Sequence, residues 1–254
     1  MNIENQKNLS IHVFPTRKSM GIAASNDVEK RINALLKIKD EIRMVFAAAP
    51  SQNEILDCLV ESKTIDWNRI TAFHMDEYIG LPAESEQLFS AYLKNRLFDK
   101  VPFKHVYTID GNNDIALEMK RYSGLIAIAP IDIICLGIGE NGHIAFNDPP
   151  FADFNDPLLM KEVTLDQVCR KQQVNDGCFP SLDLVPQKAL TLTIPVFMQA
   201  SHLFCVVPGI NKRNAVGQTI TGPVTTSCPA SVLQRHPDCN FYFDEASCDL
   251  SLLK

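Results

Sequence analysis

No two cysteines in this chain are spaced C-x-x-C. The eight, Cys58, Cys135, Cys169, Cys178, Cys205, Cys228, Cys239 and Cys248, are scattered singly, which argues against a zinc knuckle or a thioredoxin-like redox motif. Cys135 and Cys205 lie inside apolar runs, where a free buried thiol is expected. Runs of basic residues are also missing. With 24 Lys and Arg against 30 Asp and Glu, and a formal charge of −6, the chain is a poor match for a nucleic-acid or anionic-membrane partner, although a local cationic pocket can still hold one phosphate. No apolar run approaches the roughly 20 residues needed to cross a bilayer. The opening MNIENQKNLS lacks the apolar core of a signal peptide, so a reducing cytoplasmic setting is expected. No internal repeat, low-complexity tract or shift in composition divides the chain, and one domain over residues 1–254 is the expectation. What is present is ordinary for a globular protein: 254 residues, 46% apolar and 21% charged. A chain of this length buries about 70 to 75% of its unfolded surface without a disulfide or metal staple.

Apolar periodicity divides the chain into alternating elements. Ile11 to Phe14 reads as a short strand, and Ser19 to Ile38 carries helical spacing through Ile22, Val28, Ile32, Leu35 and Leu36. Ile42 to Ala49 is a compact apolar strand. Ser51 and Glu54 then have capping-box spacing ahead of a helix with Ile55, Leu56 and Leu59 on its apolar side. Ile70 to Met75 predicts a strand, Ser85 to Phe98 a helix, and Ile131 to Leu136 a central strand covered on both faces. Phe146 to Pro157, rich in Pro, Asp, Asn and Phe, reads as a loop. Lys161 to Leu165, Leu203 to Val207 and Asn240 to Phe243 are later strands, with helices from about Asp166 and over 211–220. The pattern predicts a three-layer α/β fold, a mostly parallel sheet with helices on both faces, Rossmann-like in its architecture. Such sheets bind ligands beyond the carboxyl ends of their strands, which singles out 47–53, 74–82 and 137–149.

Two of these junctions carry dense polar chemistry. In Phe73-His74-Met75-Asp76-Glu77-Tyr78-Ile79-Gly80 an acidic pair follows a strand. One carboxylate can enter a cleft while the other orients a neighbour or binds solvent, though such a pair taken alone suits a plain turn as well. In Gly137-Ile138-Gly139-Glu140-Asn141-Gly142-His143-Ile144-Ala145-Phe146-Asn147-Asp148 the glycines, among them Gly139 and Gly142, permit close backbone approach to an anion. The imidazole, amide and carboxylate that follow can serve as acid, orienter and charge partner. The G-x-G-x-x-G spacing superficially matches a dinucleotide fingerprint. However, a polar and aromatic loop follows it where the fingerprint opens a long apolar helix, and no acidic residue ends a later strand about 20 residues on.

The segments FHMDEYIGLP and LGIGENGHIAFNDP resemble the paired signatures of the glucosamine-6-phosphate deaminase and isomerase family, and ALTLTIP at 189–195 and PGINKRNAV at 208–216 extend the resemblance over nearly the whole chain. The related 6-phosphogluconolactonases share the fold but typically carry GDER-like and GHTAS-like segments where this chain has MDEY and GHIAF. The resemblance implies an enzyme that opens a 2-amino-2-deoxy sugar phosphate, moves a proton between C2 and C1 and releases ammonia, with no redox cofactor. It places Asp76 as the carboxylate that shuttles the C2 proton and His143 as the imidazole that assists ring opening. Asn141 and Asp148 take the positions of the histidine's acidic partners, and Lys212 that of a lysine holding the phosphate. Glu77, Gly139 and Gly142, within the same motifs, are candidate substrate contacts. An Asp76 carboxylate with the ordinary pKa near 4 is expected to be ionised at neutral pH.

This chain departs from the family pattern in three places. Asn141 stands where aspartate is common, and Asp148 where glutamate is common. Ala48-Ala49-Pro50-Ser51-Gln52-Asn53-Glu54 replaces a glycine-rich, threonine-containing phosphate loop. Ser51 can donate a hydroxyl to an anion or cap a helix, and Arg170 either substitutes for a phosphate-binding arginine or is a solvated helix residue. Lys212 is equally open between phosphate ligand and solvated lysine. The expected partner is a small-molecule sugar phosphate. Family members include hexamers and monomers, so assembly into a homo-oligomer stays open. The altered loop also leaves room for an isomerase or lactone hydrolase on another sugar phosphate, or for a non-catalytic sugar-phosphate sensor.

Overall fold

The computed structural model describes residues 9–149 and 151–253, so the N-terminal tail and Pro150 of the predicted loop lie outside the described residues. Strands β1 (Ser10–Phe14), β2 (Ile42–Phe46), β3 (Ile70–His74), β5 (His105–Tyr107), β6 (Ile133–Leu136), β9 (His202–Val207) and β10 (Cys239–Asp244) form a sheet in the order β1-β10-β9-β6-β2-β3-β5. All its pairings are parallel. Three further strands, β4 (Asp76–Tyr78), β7 (Met160–Thr164) and β8 (Lys188–Leu192), make a small antiparallel sheet in the order β4-β8-β7.

The central strands explain the layers. Met44 and Phe46 of β2 and Ile133 and Cys135 of β6 enter one apolar core, with Val28 and Ile32 of α1 (Arg17–Leu35) and Ile55 and Leu59 of α2 (Asn53–Glu61). Their alternates Val45, Ile134 and Leu136 enter the other, with Tyr122 and Ile126 of α4 (Ile115–Ala127) and Val216 and Ile220 of α7 (Arg213–Thr221). Side chains alternate across a strand, so a strand buried on both faces must be apolar throughout. The near-continuous apolar runs at 42–46 and 133–136 reflect this.

Several boundaries differ from the sequence expectation. Helix α1 starts two residues early because Thr16 and Ser19 form a reciprocal capping box. The box expected between Ser51 and Glu54 does not form. Pro50–Gln52 make a 3-10 turn, α2 begins at Asn53 with no side-chain cap, and Glu54 is drawn to Arg17 (Nε to Oε1, 2.6 Å). The helix expected from Ser85 is shortened to α3 (Phe89–Leu93), which runs into a π-helical turn at Lys94–Phe98. Strands β5 and β8 and helices α4, α6 (Ile194–Met198) and α5 (Gln167–Asn175) complete the set; of these only α5 was anticipated.

Helices α1 and α2 touch closely at Gly21, where a Cβ would fall 2.3 Å from Glu54 Cβ. This contact seats the first turn of α2 against the start of α1. Replacing Gly21 by alanine should destabilise the protein by about 1–3 kcal/mol through overpacking, read as a lowered denaturant midpoint at unchanged slope. An unchanged midpoint would mean that the two helices separate freely.

Candidate active site

A parallel sheet opens a crevice where the chain reverses its direction of winding, and here the reversal falls at the neighbours β2 and β6. From β2 the chain adds β3 and β5 to one side, then returns to lay β6, β9 and β10 on the other. The cleft lies outside these carboxyl ends. Its walls are Ala47 to Ser51 after β2, Met75 and Asp76 after β3, Gly137 to Gly139 after β6, and Pro208 and Lys212 after β9. Residues from all three junctions singled out in the sequence, 47–53, 74–82 and 137–149, line this one cleft.

Asp76 is held from both directions. The Tyr122 hydroxyl accepts from His74 N (3.0 Å) and donates to His74 O (2.8 Å), replacing a strand partner beyond the last β3 to β5 pair, Phe73 with Tyr107. Beyond that point Asp76 pairs with Thr191 of β8 in the antiparallel sheet. Strand alternation then sends Asp76 and Glu77 in opposite directions. Asp76 lines the cleft, whereas Glu77 is buried against the start of α3, accepting from Tyr78 N, Phe89 N and Ser90 N at 2.8 to 3.0 Å. Glu77 therefore anchors a helix and does not reach the cleft, contrary to its assignment as a substrate contact. Burial, the neighbouring Glu77 and Asp148 push the Asp76 carboxyl well above the carboxylate range. Desolvation thus displaces the carboxyl upward from the ordinary aspartate value expected from the sequence.

His143 lines the same cleft. Its Nδ1 lies 2.8 Å from Asn141 Oδ1 and 3.0 Å from Asp148 Oδ1, while Asn141 Nδ2 donates to Asp148 Oδ1 at 2.9 Å. Two acceptors at Nδ1 place the proton there in the neutral ring and leave Nε2 with the free lone pair. Burial opposes ionisation of Asp148, but the His143 charge and the hydrogen bonds from His143 and Asn141 outweigh it, so its carboxyl lies below the ordinary range. Asp76 and Asp148 are thus pushed apart, one toward the acid and one toward the carboxylate, as a site that divides roles between two carboxyl groups requires.

The two glycines meet different neighbours. A Cβ on Gly139 would come within 2.2 Å of His143 Cε1 and Nε2, so the bare backbone at 139 forms the bed on which the ring lies. Gly142 has φ +82°, and a Cβ there would meet Cys228 Sγ at 2.6 Å. It is a turn residue packed away from the cleft. Ala145, which lines the cleft, also adopts a positive φ of 49°, a conformation non-glycine residues adopt chiefly where surrounding structure imposes it.

The phosphate-side candidates separate. Ser51 and Lys212 line the cleft. Burial pushes the Lys212 ammonium below its ordinary value, opposed by Asp176 and Glu140. Arg170 does not line it: its guanidinium donates to Leu182 O and Val185 O at 2.7 and 2.8 Å, tying α5 to the loop before β8. Arg17, Gln172, Gln173 and Asp176 line the cleft without having been singled out. Arg17 sits far from any motif, and the glutamines read from sequence as ordinary helix polarity. Gln172 is fixed by accepting from Glu140 N at 2.8 Å and donating to Asp176 at 3.2 Å.

His143, Asp148 and Cys169 bring potential ligand atoms within 4.8 Å of one another. Burial, Asp148 and Asp76 push the Cys169 thiol well above its ordinary value, and as a neutral thiol it donates toward the Asp148 carboxylate.

Residues 15–241 match the family of glucosamine-6-phosphate isomerases and 6-phosphogluconolactonases. The chain belongs to this family of sugar-phosphate enzymes. Among curated family members, the glucosamine-6-phosphate deaminases of Bacillus thuringiensis (strain Al Hakam) and Bacillus anthracis (strain A0248) are each 35% identical over 222 residues, covering 87% of this chain and 82% of theirs. A solved monomeric glucosamine-6-phosphate deaminase superposes with a TM-score of 0.86 at 27% identity, over 96% of this chain and 100% of that one. The Thermotoga maritima 6-phosphogluconolactonase shares the fold at a TM-score of 0.76 and 21% identity, over 93% and 99% of the two chains. No helix among the described residues is long and apolar enough to cross a membrane.

Proposed function

We propose that this protein is an aldose–ketose isomerising deaminase that converts glucosamine 6-phosphate and water to fructose 6-phosphate and ammonia. The observation that carries the reading is the meeting of Asp76 and His143 in one cleft, with Asn141 and Asp148 bonded behind the imidazole. The deaminases among its relatives support the amino-sugar substrate.

In this mechanism Lys212 and Ser51 hold the phosphate and so fix C1 and C2 between the two catalytic groups. His143 Nε2 takes the proton of the anomeric hydroxyl and returns one to the ring oxygen, and the C1 aldehyde forms. The imidazolium that arises in between is stabilised by the Asp148 carboxylate, with Asn141 fixing the ring plane. Asp76 in its ionised form then removes the C2 proton, the electron pair of that bond forms the C1=C2 double bond, and the carbonyl pair passes to O1, which takes a proton from the C2 ammonium to give an enolamine. Return of the proton to C1 leaves an imine at C2, which water hydrolyses to the ketone with loss of ammonia. Oxidation at C2 balances reduction at C1 within the sugar, so no external electron acceptor enters.

Ammonia release from purified protein given glucosamine 6-phosphate, beside a panel of other sugar phosphates, tests the reading. Release from another amino-sugar phosphate alone would move the substrate, and release from none would sink the deaminase. Replacing Lys212 by methionine keeps most of the aliphatic stem and removes the charge. KM for the phosphorylated sugar should rise by about 10- to 100-fold with kcat largely kept, the signature of a contact equal in ground and transition states. Unchanged kinetics across ionic strengths would return Lys212 to a purely structural role.

A further inference from the structure

We propose that Arg17, at the first turn of α1, is the second cationic ligand of the substrate phosphate and a determinant of specificity for phosphorylated sugars; this rests on the reading that the cleft binds a sugar phosphate. Arg17 lines the same cleft as Ser51 and Lys212, although it is 34 residues from the one and 195 from the other in sequence. The close packing of α1 on α2 at Gly21 brings it there.

The guanidinium is held in place. Its Nε donates to Glu54 Oε1 at 2.6 Å and its Nη2 to Pro50 O. A guanidinium has five N–H donors in a rigid fork, and no other acceptor among the described residues takes the remainder. The side chain is 40% exposed, so those donors are open to a ligand. Arg17 is also the first residue of a helix after its Thr16 cap, the end where a cation works against the helix dipole and an anion is favoured. The helix end by itself therefore disfavours arginine at that place.

The turn after β2 explains the need. It lacks glycine, Pro50 has no amide proton, and the Gln52 amide is used internally on Ala49 O at 2.8 Å. A turn with few free N–H groups cannot cradle a phosphate by backbone alone, and on the other side Lys212 is balanced by Asp176, which also lines the cleft. A planar guanidinium presenting paired donors to phosphate oxygens compensates. Arg170, the arginine expected to do this from sequence, is committed to carbonyls elsewhere.

The test is calorimetric titration with inorganic phosphate of the wild-type chain, Arg17→Gln, Arg17→Lys and the double variant Arg17→Gln/Glu54→Gln. Loss of one charge-assisted contact should weaken phosphate binding by about 10- to 100-fold in Arg17→Gln, with partial retention in Arg17→Lys. The double variant should stay weak. Wild-type affinity in Arg17→Gln, or recovery of affinity in the double variant, would overturn the proposal, the latter by showing that Arg17 only neutralises Glu54. Failure of the wild-type chain to bind phosphate would overturn it as well. Ammonia release is scored separately: phosphate binding that depends on Arg17, without ammonia from any amino-sugar phosphate, would sink the deaminase reading and keep this one.

Discussion

Replacing Asp76 by asparagine is expected to lower kcat by roughly 10²-fold or more while raising the thermal stability of the free protein. Asparagine keeps the shape but cannot take the C2 proton. The stability gain follows from burial. The folded-state pKa of Asp76 lies well above its unfolded value, through desolvation first and then the charges of Glu77 and Asp148. Between the ordinary aspartate pKa and that raised value the folded state binds the extra proton, so stability declines as pH rises through this window. A neutral amide removes that decline. The same displacement predicts that the acidic limb of kcat/KM for the wild-type chain lies above the ordinary carboxylate range, because only the ionised form accepts a proton. Solvent exchange of the C2 hydrogen, read by NMR, is the decisive measurement. Exchange at the wild-type rate in the Asp76→Asn chain would remove Asp76 from the carbon-acid step, and an unchanged melting temperature would show that its charge is solvated.

Substituting Gly139 by alanine should cost about as much activity as replacing His143 by glutamine, roughly 10²- to 10⁴-fold in kcat/KM. The added methyl would lie 2.2 Å from two atoms of the imidazole, closer than any non-bonded carbon contact, so either the ring or the 137–142 turn must move. Movement of the ring breaks the pair of bonds from Nδ1 to Asn141 and Asp148. Those bonds select the tautomer and offset the imidazolium charge. The loss should fall on the cyclic substrate more than on the transient open-chain form, and far-UV circular dichroism should be unchanged. Activity within a few-fold of wild type would mean that the turn yields without disturbing the histidine.

The layers and the main strands of the parallel sheet are legible in the sequence because both follow from local apolar periodicity. The runs at 42–46 and 133–136 are buried at every position and apolar at all but Arg43, as a strand covered on both faces requires. The strand β5 was not legible: three residues, His105–Tyr107, at the edge of the sheet carry too little apolar pattern to stand out. Strand β8 is a five-residue stretch whose partners β4 and β7 flank it in space and lie far off in sequence. Helix α3 was overextended because its start depends on the Glu77 carboxylate reaching Phe89 N and Ser90 N, a contact between residues 12 and 13 apart that periodicity does not register.

Of the cleft, the sequence by itself determined the residues whose chemistry sits in short motifs: Asp76 at a strand exit, and His143 with Asn141 and Asp148 in one turn. The spacing of that turn is short enough for its own side chains to bond to one another, so local order dictates local geometry. Tertiary structure decided the rest. It turned Glu77 away from its neighbour, since strand alternation becomes meaningful only when the antiparallel partner of β4 is in place. It raised the Asp76 carboxyl, since desolvation is a property of the surrounding fold and not of the residue. It also exchanged Arg170 for Arg17 at the cleft, because which side chains meet across the crevice depends on how α1 packs on α2, a long-range fit that a single glycine, Gly21, allows.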